Sequence, residues 1–357
     1  MTWQGIVGQD EVVDRFGQTL RRGRLASSYL FVGPEGVGKR TFALRLAQTL
    51  LCKQTPPAEM APCGNCQPCQ QMLAGTHTDL DMIALPPDKN EIPIELLIGD
   101  IEHRMKEGFC YNLSRKPLEK SRKIGIIDDA DMLNDAGSNC LLKMLEEPPP
   151  RSLLILIGTN PQKQLPTIRS RCQTIYFKPL GTEHLVDLLL TTGVGFDREK
   201  AEILAAQSDG GLESACHWAE DELWPFRNDL FALLAHLPPE GERLGKLIQS
   251  FIDGESSSKE RRMRLRLVTQ LVEDFYRLLL YKLLDIDAIL PHRDRSLLAA
   301  VSQAAEHARF SGTAGPKVAA NQLERCLVTR KQIEQNANPA ALVGCWVDDL
   351  VRCTSPT

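Results

Sequence analysis

The sequence has no apolar run long enough to cross a membrane. Its first residues, MTWQGIVGQDEVV, lack the basic-then-apolar layout of an export signal. These two absences lead us to expect a cytoplasmic protein with no membrane partner. Positive charge is not in excess either: the formal net charge is -4, which argues against a chain that coats nucleic acid by itself. A local basic face remains compatible with that value. Aromatic residues make up only 6% of the chain, and no dense Lys/Arg run follows its cysteines. A zinc-dependent nucleic-acid-binding module would need base-stacking aromatics and a basic stripe, so that reading ranks last. There is no internal repeat, no low-complexity tract and no carboxylate constellation suited to nucleotidyl transfer.

What is present begins with size. At 357 residues, 43% hydrophobic and 25% charged, the chain can build a large core and suggests two or three domains. The 11 cysteines are an odd number along a long chain, which is no disulfide framework. Cys140, Cys172 and Cys345 sit among apolar neighbours and read as small core residues.

Short apolar runs at 30–32, 123–127 and 153–160 read as buried strands, separated by stretches of helical spacing. Such runs imply a parallel sheet covered on both faces. Leu141, Leu142 and Leu145 form one helical face that Pro148, Pro149 and Pro150 terminate. Short amphipathic helices are expected over 183–190 and 198–208, and only helical periodicity follows residue 223.

The first strand runs into Gly33-Pro34-Glu35-Gly36-Val37-Gly38-Lys39-Arg40-Thr41, one residue from a phosphate-binding loop. Gly33, Gly36, Gly38 and Lys39 supply backbone N–H groups and an ammonium for phosphates. The hydroxyl that normally ligates Mg²⁺ is replaced by Arg40, and Thr41 lies about 100° further around the helix. The same spacing also fits a tight strand-to-helix turn that binds nothing. Asp128 ends the second apolar strand, where a P-loop protein keeps its Mg²⁺-associated carboxylate. The next position, Asp129, is one methylene shorter than a water-polarising Glu, a misplacement that can cost about a hundredfold in rate. An acidic loop capping a strand explains Asp129 and Asp131 equally well.

The most specific chemical signal is Cys63-Gly64-Asn65-Cys66-Gln67-Pro68-Cys69, with Cys52 upstream across a Pro-containing loop. Four closely spaced thiols suit a closed, tetrahedral Zn²⁺ site of structural type. An iron–sulfur cluster also takes four cysteines, but the bacterial ferredoxin spacing is absent. A CxxC redox pair would not need the third and fourth. His77 is nearby and is expected to cap or pack. Arg169 and Arg171, in Thr167-Ile168-Arg169-Ser170-Arg171-Cys172-Gln173, suit either a solvated surface or phosphate recognition across a subunit boundary.

With these motifs assembled, the chain resembles the bacterial DNA polymerase III clamp-loader subunits of the AAA+ class, the delta prime kind above all. Val7-Gly8-Gln9, SSYLFVGPEGVGKRTFA, the cysteine group, HTDLD, NCLLKMLEEPPP and TIRSRCQ carry the resemblance, in family order across about the first half. The resemblance implies an α/β P-loop (AAA+) parallel-sheet domain over 1–179 with a zinc module at about 52–69. A helical lid over 180–221 and an all-helical collar over 222–357 would follow. It further implies that Arg171 acts as an arginine finger on ATP held by a neighbouring subunit. Structural Zn²⁺ would sit on Cys52, Cys63, Cys66 and Cys69. Expected partners are gamma/tau-type and delta-type subunits, and through them the sliding clamp and primed DNA. Arg40, Asp129 and the segment 210–214, which lacks the nucleotide-sensing arginine of hydrolysing relatives, are three departures at catalytic positions. The expectation is therefore weak or unproductive ATP binding and lost hydrolysis, any enzymatic label coming from membership of the polymerase holoenzyme. An active AAA+ ATPase is the alternative, kept open by Lys39 and Asp128.

Overall fold

The computed structural model describes residues 3–104, 106–118, 122–191, 197–208, 210–219, 222–236, 240–255, 258–286, 295–307, 310, 314–335 and 337–354. The expected lid boundary at residue 221 lies outside them. The chain divides into two compact units, Met1–Ala201 with Ser208–Ala215, and Glu202–Gln207 with Cys216–Thr357.

The first unit is built on a parallel sheet of β1 (Ser28–Val32), β2 (Leu80–Ile83), β3 (Lys123–Ile127), β4 (Ser152–Gly158) and β5 (Gln173–Tyr176). Their spatial order is β2-β3-β4-β1-β5. The helices of this region are α1 (Asp10–Arg21), α2 (Lys39–Leu51), α3 (Gln67–Leu73), α4 (Ile94–Ile98), α5 (Gly108–Ser114), α6 (Asp135–Glu146) and α7 (Pro166–Arg169). Three short helices follow, α8 (Thr182–Thr191), α9 (Arg198–Gln207) and α10 (Leu212–Trp218).

Every residue of β1, β3 and β4 is buried, because both faces of the sheet are covered. Their continuous apolar sequences have this cause. On one face Phe16, Phe31, Phe42 and Leu46 pack together. Leu30, Phe109, Leu141 and Ile168 fill the other. The edge strands β2 and β5 are four residues each and only partly buried, so neither carries the apolar run by which the other three are read. α6 starts where the Asn134 side chain accepts from the Gly137 N–H at 2.9 Å, and stops two residues before Pro148. The parallel P-loop sheet with an inserted cysteine module agrees with the expected class.

The second unit is helical, also as expected. Besides the ends of α9 and α10, its elements are α11 (Leu223–Ala235), α12 (Gly241–Asp253), α13 (Ser258–Leu283), α14 (Arg295–Ala305), α15 (Gly315–Glu334) and α16 (Pro339–Thr354). The 26-residue α13 packs against α12, α14 and α15 and buries Val268, Leu271, Phe275 and Tyr276. Arg264, 8% exposed, is neutralised by Glu255 at 2.6 Å and Glu222 at 3.0 Å. Among the described residues no helix is long and apolar enough to cross a membrane.

One expectation needs correction. Cys172 is buried and Cys140 half-buried, but Cys345 is exposed. It lies on the outer side of α16, whose buried side is formed by Leu342, Val343, Trp346, Val347 and Leu350. Apolar neighbours in sequence do not imply burial when a helix turns them to different faces.

Phe42 touches the rings of Trp3, Phe16, Phe31 and Phe177. Replacing Phe42 with Ala should destabilise the first unit by about 3–5 kcal/mol, measured by urea unfolding. A loss below about 1 kcal/mol would contradict its place at the centre of this packing.

Candidate functional site

The ends of three strands converge on the glycine loop. Gly33 follows β1, Asp128 follows β3 and Thr159 follows β4, at the carboxyl edge where ligands bind open parallel sheets. Gly38 precedes α2, whose first residue is Lys39. The Lys39 side chain turns back into the loop, and its Nζ donates to the carbonyls of Gly33 at 2.7 Å and Pro34 at 2.5 Å. Burial lowers its pKa, against the opposing pull of the Glu35, Asp128, Asp131 and Glu213 carboxylates. The ammonium thus lies among four acidic groups of its own chain.

Arg40 stands where a magnesium-binding hydroxyl would be, and it faces the expected metal carboxylate. Its Nη1 lies 3.5 Å from Asp128 Oδ2, with the arginine 60% and the aspartate 16% exposed. A guanidinium therefore supplies the positive charge that a metal would bring to Asp128. Burial raises the Asp128 pKa and Asp129 adds to the rise, while Arg40 and Lys39 work against it. Asp129 has φ 52°, in the left-handed region, and its N–H donates to Asp128 Oδ1 at 3.1 Å. Thr41 is exposed on the first turn of α2 and is no substitute for the missing hydroxyl.

Asp131 has a structural task that its acidic surroundings in sequence concealed. Its carboxylate accepts from the Thr159 N–H and hydroxyl, both at 2.6 Å, and from Gln164 Nε2 at 3.0 Å. This clamps the end of β3 to the end of β4. The only hint in sequence is a third Asp three residues after Asp128.

The first turn of α10 seats on the loop backbone to backbone. The Leu212 N–H donates to the Gly36 carbonyl at 3.1 Å. A Cβ on Gly36 would lie 2.3 Å from the Glu213 nitrogen, and one on Gly211 would lie 2.1 Å from the Glu35 carbonyl oxygen. Only glycine at both positions permits this approach. Glu213, rather than an arginine, then stands within electrostatic reach of Lys39.

Arg171 is at the opposite end of the sheet. β1 and β5 are parallel with Tyr29 beside Gln173 and Val32 beside Tyr176, so the segment before β5 lies at the edge where β1 begins. The length of β5, about 13 Å at ~3.3 Å per residue, separates Arg171 from the loop level. Arg171 Nη2 lies 2.8 Å from Glu146 Oε1, and Nη1 donates to the Thr167 carbonyl at 3.0 Å. Arg169, also exposed, ends α7.

Cys52, Cys63, Cys66 and Cys69 come together with their sulfurs within 4.8 Å of one another. Sγ–Sγ separations are 3.6 Å for Cys52–Cys63 and 3.9 Å for both Cys52–Cys66 and Cys63–Cys69. Four thiolates at ~2.3 Å from a tetrahedral Zn²⁺ would be about 3.8 Å apart. The donor set and spacing fit that ion. Burial opposes thiolate formation at Cys52, but the Cys63 N–H and the Thr55 hydroxyl bring its pKa down to about 5. Cys69 is fully buried, and its pKa is pushed up to about 12 by desolvation. The module is anchored to the sheet domain by Gln48 Nε2 donating to the Cys69 carbonyl at 3.4 Å. Met60 and Met72 join the hydrophobic core beside it. His77 stays out of the cluster; its Nδ1 accepts from the Asp79 N–H at 3.0 Å and caps a turn, as expected.

Comparison with known proteins points the same way. Residues 8–181 match the family model described as DNA polymerase III, delta subunit. The chain is similar to DNA polymerase III subunit delta' of Pseudomonas aeruginosa, 37% identical over 42% of this chain and 43% of that protein. It is also similar to subunit delta' of Bacillus subtilis, 33% identical over 63% of this chain and 61% of that protein. Subunit gamma/tau of Mycobacterium bovis is 34% identical over 49% of this chain and 28% of that protein. The chain thus spans between about a quarter and three fifths of the length of these relatives. Residues 8–181, which carry the loop, the cysteine cluster and Arg171, are thus the part of the chain that is similar to DNA polymerase III clamp-loader subunits.

Proposed function

We propose that this chain is a delta prime-type subunit of the replicative clamp loader, which contributes Arg171 to ATP held by a neighbouring subunit and hydrolyses little itself. The observation that carries the reading is the Arg40–Asp128 ion pair. A guanidinium cannot ligate Mg²⁺, and it repels the ion from Asp128. Lys39, engaged by loop carbonyls, and Glu213, in place of a nucleotide-sensing arginine, support the same conclusion.

The position of Arg171 complements this loss. It lies a strand length from its own loop, so its guanidinium suits phosphate oxygens of another chain. There it would stabilise charge developing on the transferred phosphoryl group. The first unit corresponds in this reading to the AAA+ domain of 1–179 with part of the 180–221 lid, and the second to the rest of the lid and an oligomerising collar. Gamma/tau-type and delta-type subunits are the proposed neighbours, with the sliding clamp and primed DNA reached through the complex. Zn²⁺ on the four cysteines would hold the 52–69 excursion in shape. It would do no chemistry, since all four coordination positions are sulfur. The alternative, an active motor subunit, draws on the similarity to gamma/tau proteins and on Lys39 and Asp128.

The purified chain should turn over ATP at least about a hundredfold more slowly than a complex reconstituted with the motor subunits. Robust hydrolysis by the chain alone would favour the motor reading. Arg171→Ala should leave folding and assembly intact yet lower ATP turnover of the complex about tenfold or more, as loss of a phosphate-directed arginine does. An unchanged rate removes the finger assignment. Metal analysis of the purified chain should find one zinc per molecule, and Cys66→Ser should release it and speed amide exchange between residues 52 and 69. Negligible zinc in the unsubstituted protein would end that assignment.

A further inference from the structure

Two motifs far apart in sequence, LEEPPP and SRC, meet at a single contact. Glu146, the last residue of α6, places Oε1 2.8 Å from Arg171 Nη2. The other terminal nitrogen, Nη1, donates to the Thr167 carbonyl at 3.0 Å and to Ser170 Oγ at 3.2 Å. Of the five N–H groups of a guanidinium, these contacts leave two free for a further acceptor. Both backbones are firmly seated. Leu145 is 6% exposed beside the glutamate, and Ile168 and Cys172, at 0% and 9%, flank the arginine. The two side chains themselves stay accessible, at 51% for Glu146 and 35% for Arg171.

We infer that Glu146 is a positioning residue for Arg171, holding its guanidinium in place until phosphate oxygens of a neighbouring chain take over the contact. This rests on the reading of Arg171 as a finger acting in trans. An arginine side chain has many rotamers, and ordering it only when the neighbour docks would take that entropy from the transition state. Glu146 orders it beforehand. The pair is solvent-exposed and therefore weak, so it yields readily to a phosphate. A phosphate offers more charge and a fork-matching geometry. The carboxylate thus orients the guanidinium without trapping it.

The test uses the reconstituted clamp-loader complex and steady-state ATP turnover. Glu146→Gln keeps the shape and removes the charge. It should lower kcat about three- to tenfold with KM for ATP unchanged, a smaller loss than that of Arg171→Ala. Glu146→Asp, which restores the charge at shorter reach, should recover part of that loss. The double variant E146Q/R171A should be no slower than R171A alone, because Glu146 acts only through the arginine. Wild-type turnover in E146Q overturns the proposal, as does a double variant slower than R171A, which would mark a merely structural role. If R171A itself matches the wild type, the finger reading falls, and this proposal falls with it.

Discussion

Parallel pairing of β1 with β5 is the constraint on which the other features rest. It aligns Val32 with Tyr176 and Tyr29 with Gln173, and so sends the glycine loop to one end of the sheet and Arg171 to the other. In a parallel sheet each strand must return to the same starting edge, so the segments before strands collect on one side and those after strands on the opposite side. One domain therefore carries the glycine loop and Arg171 at opposite ends of its sheet.

The glycine loop is tied together by charges of its own chain. Lys39 remains at the head of α2, but it lies among Glu35, Asp128, Asp131 and Glu213 and donates to carbonyls of the loop itself. Arg40 balances Asp128. Both side chains are engaged within the chain. With these contacts the loop forms a well-braced structural corner. Asp131 reinforces that corner by tying β3 to β4 through Thr159 and Gln164.

The cysteine module is attached to this scaffold at its own small junction. Gln48 reaches the Cys69 carbonyl, and Met60 and Met72 enter the core under α1 and α2. Its four sulfurs gather within 4.8 Å of one another, so a metal held there would add cohesion to the module.

Several of these features were legible from the residues alone. β1, β3 and β4 announce themselves because strands covered on both faces must be apolar throughout, and four cysteines at tight spacing define a metal-type cluster without any knowledge of the fold. The family motifs sit on these same segments. The edge strands β2 and β5 escaped because half-exposed strands of four residues carry no such run. Cys345 was misjudged because its neighbours along the chain are not its neighbours around α16. Local sequence determined which segments form the sheet and which atoms could hold a metal, since both follow from side-chain chemistry at short spacing. Only the tertiary structure decided that Arg40 neutralises Asp128, that α10 lies on Gly36 and that Glu146 holds Arg171, because each contact joins segments brought together by strand order and helix packing.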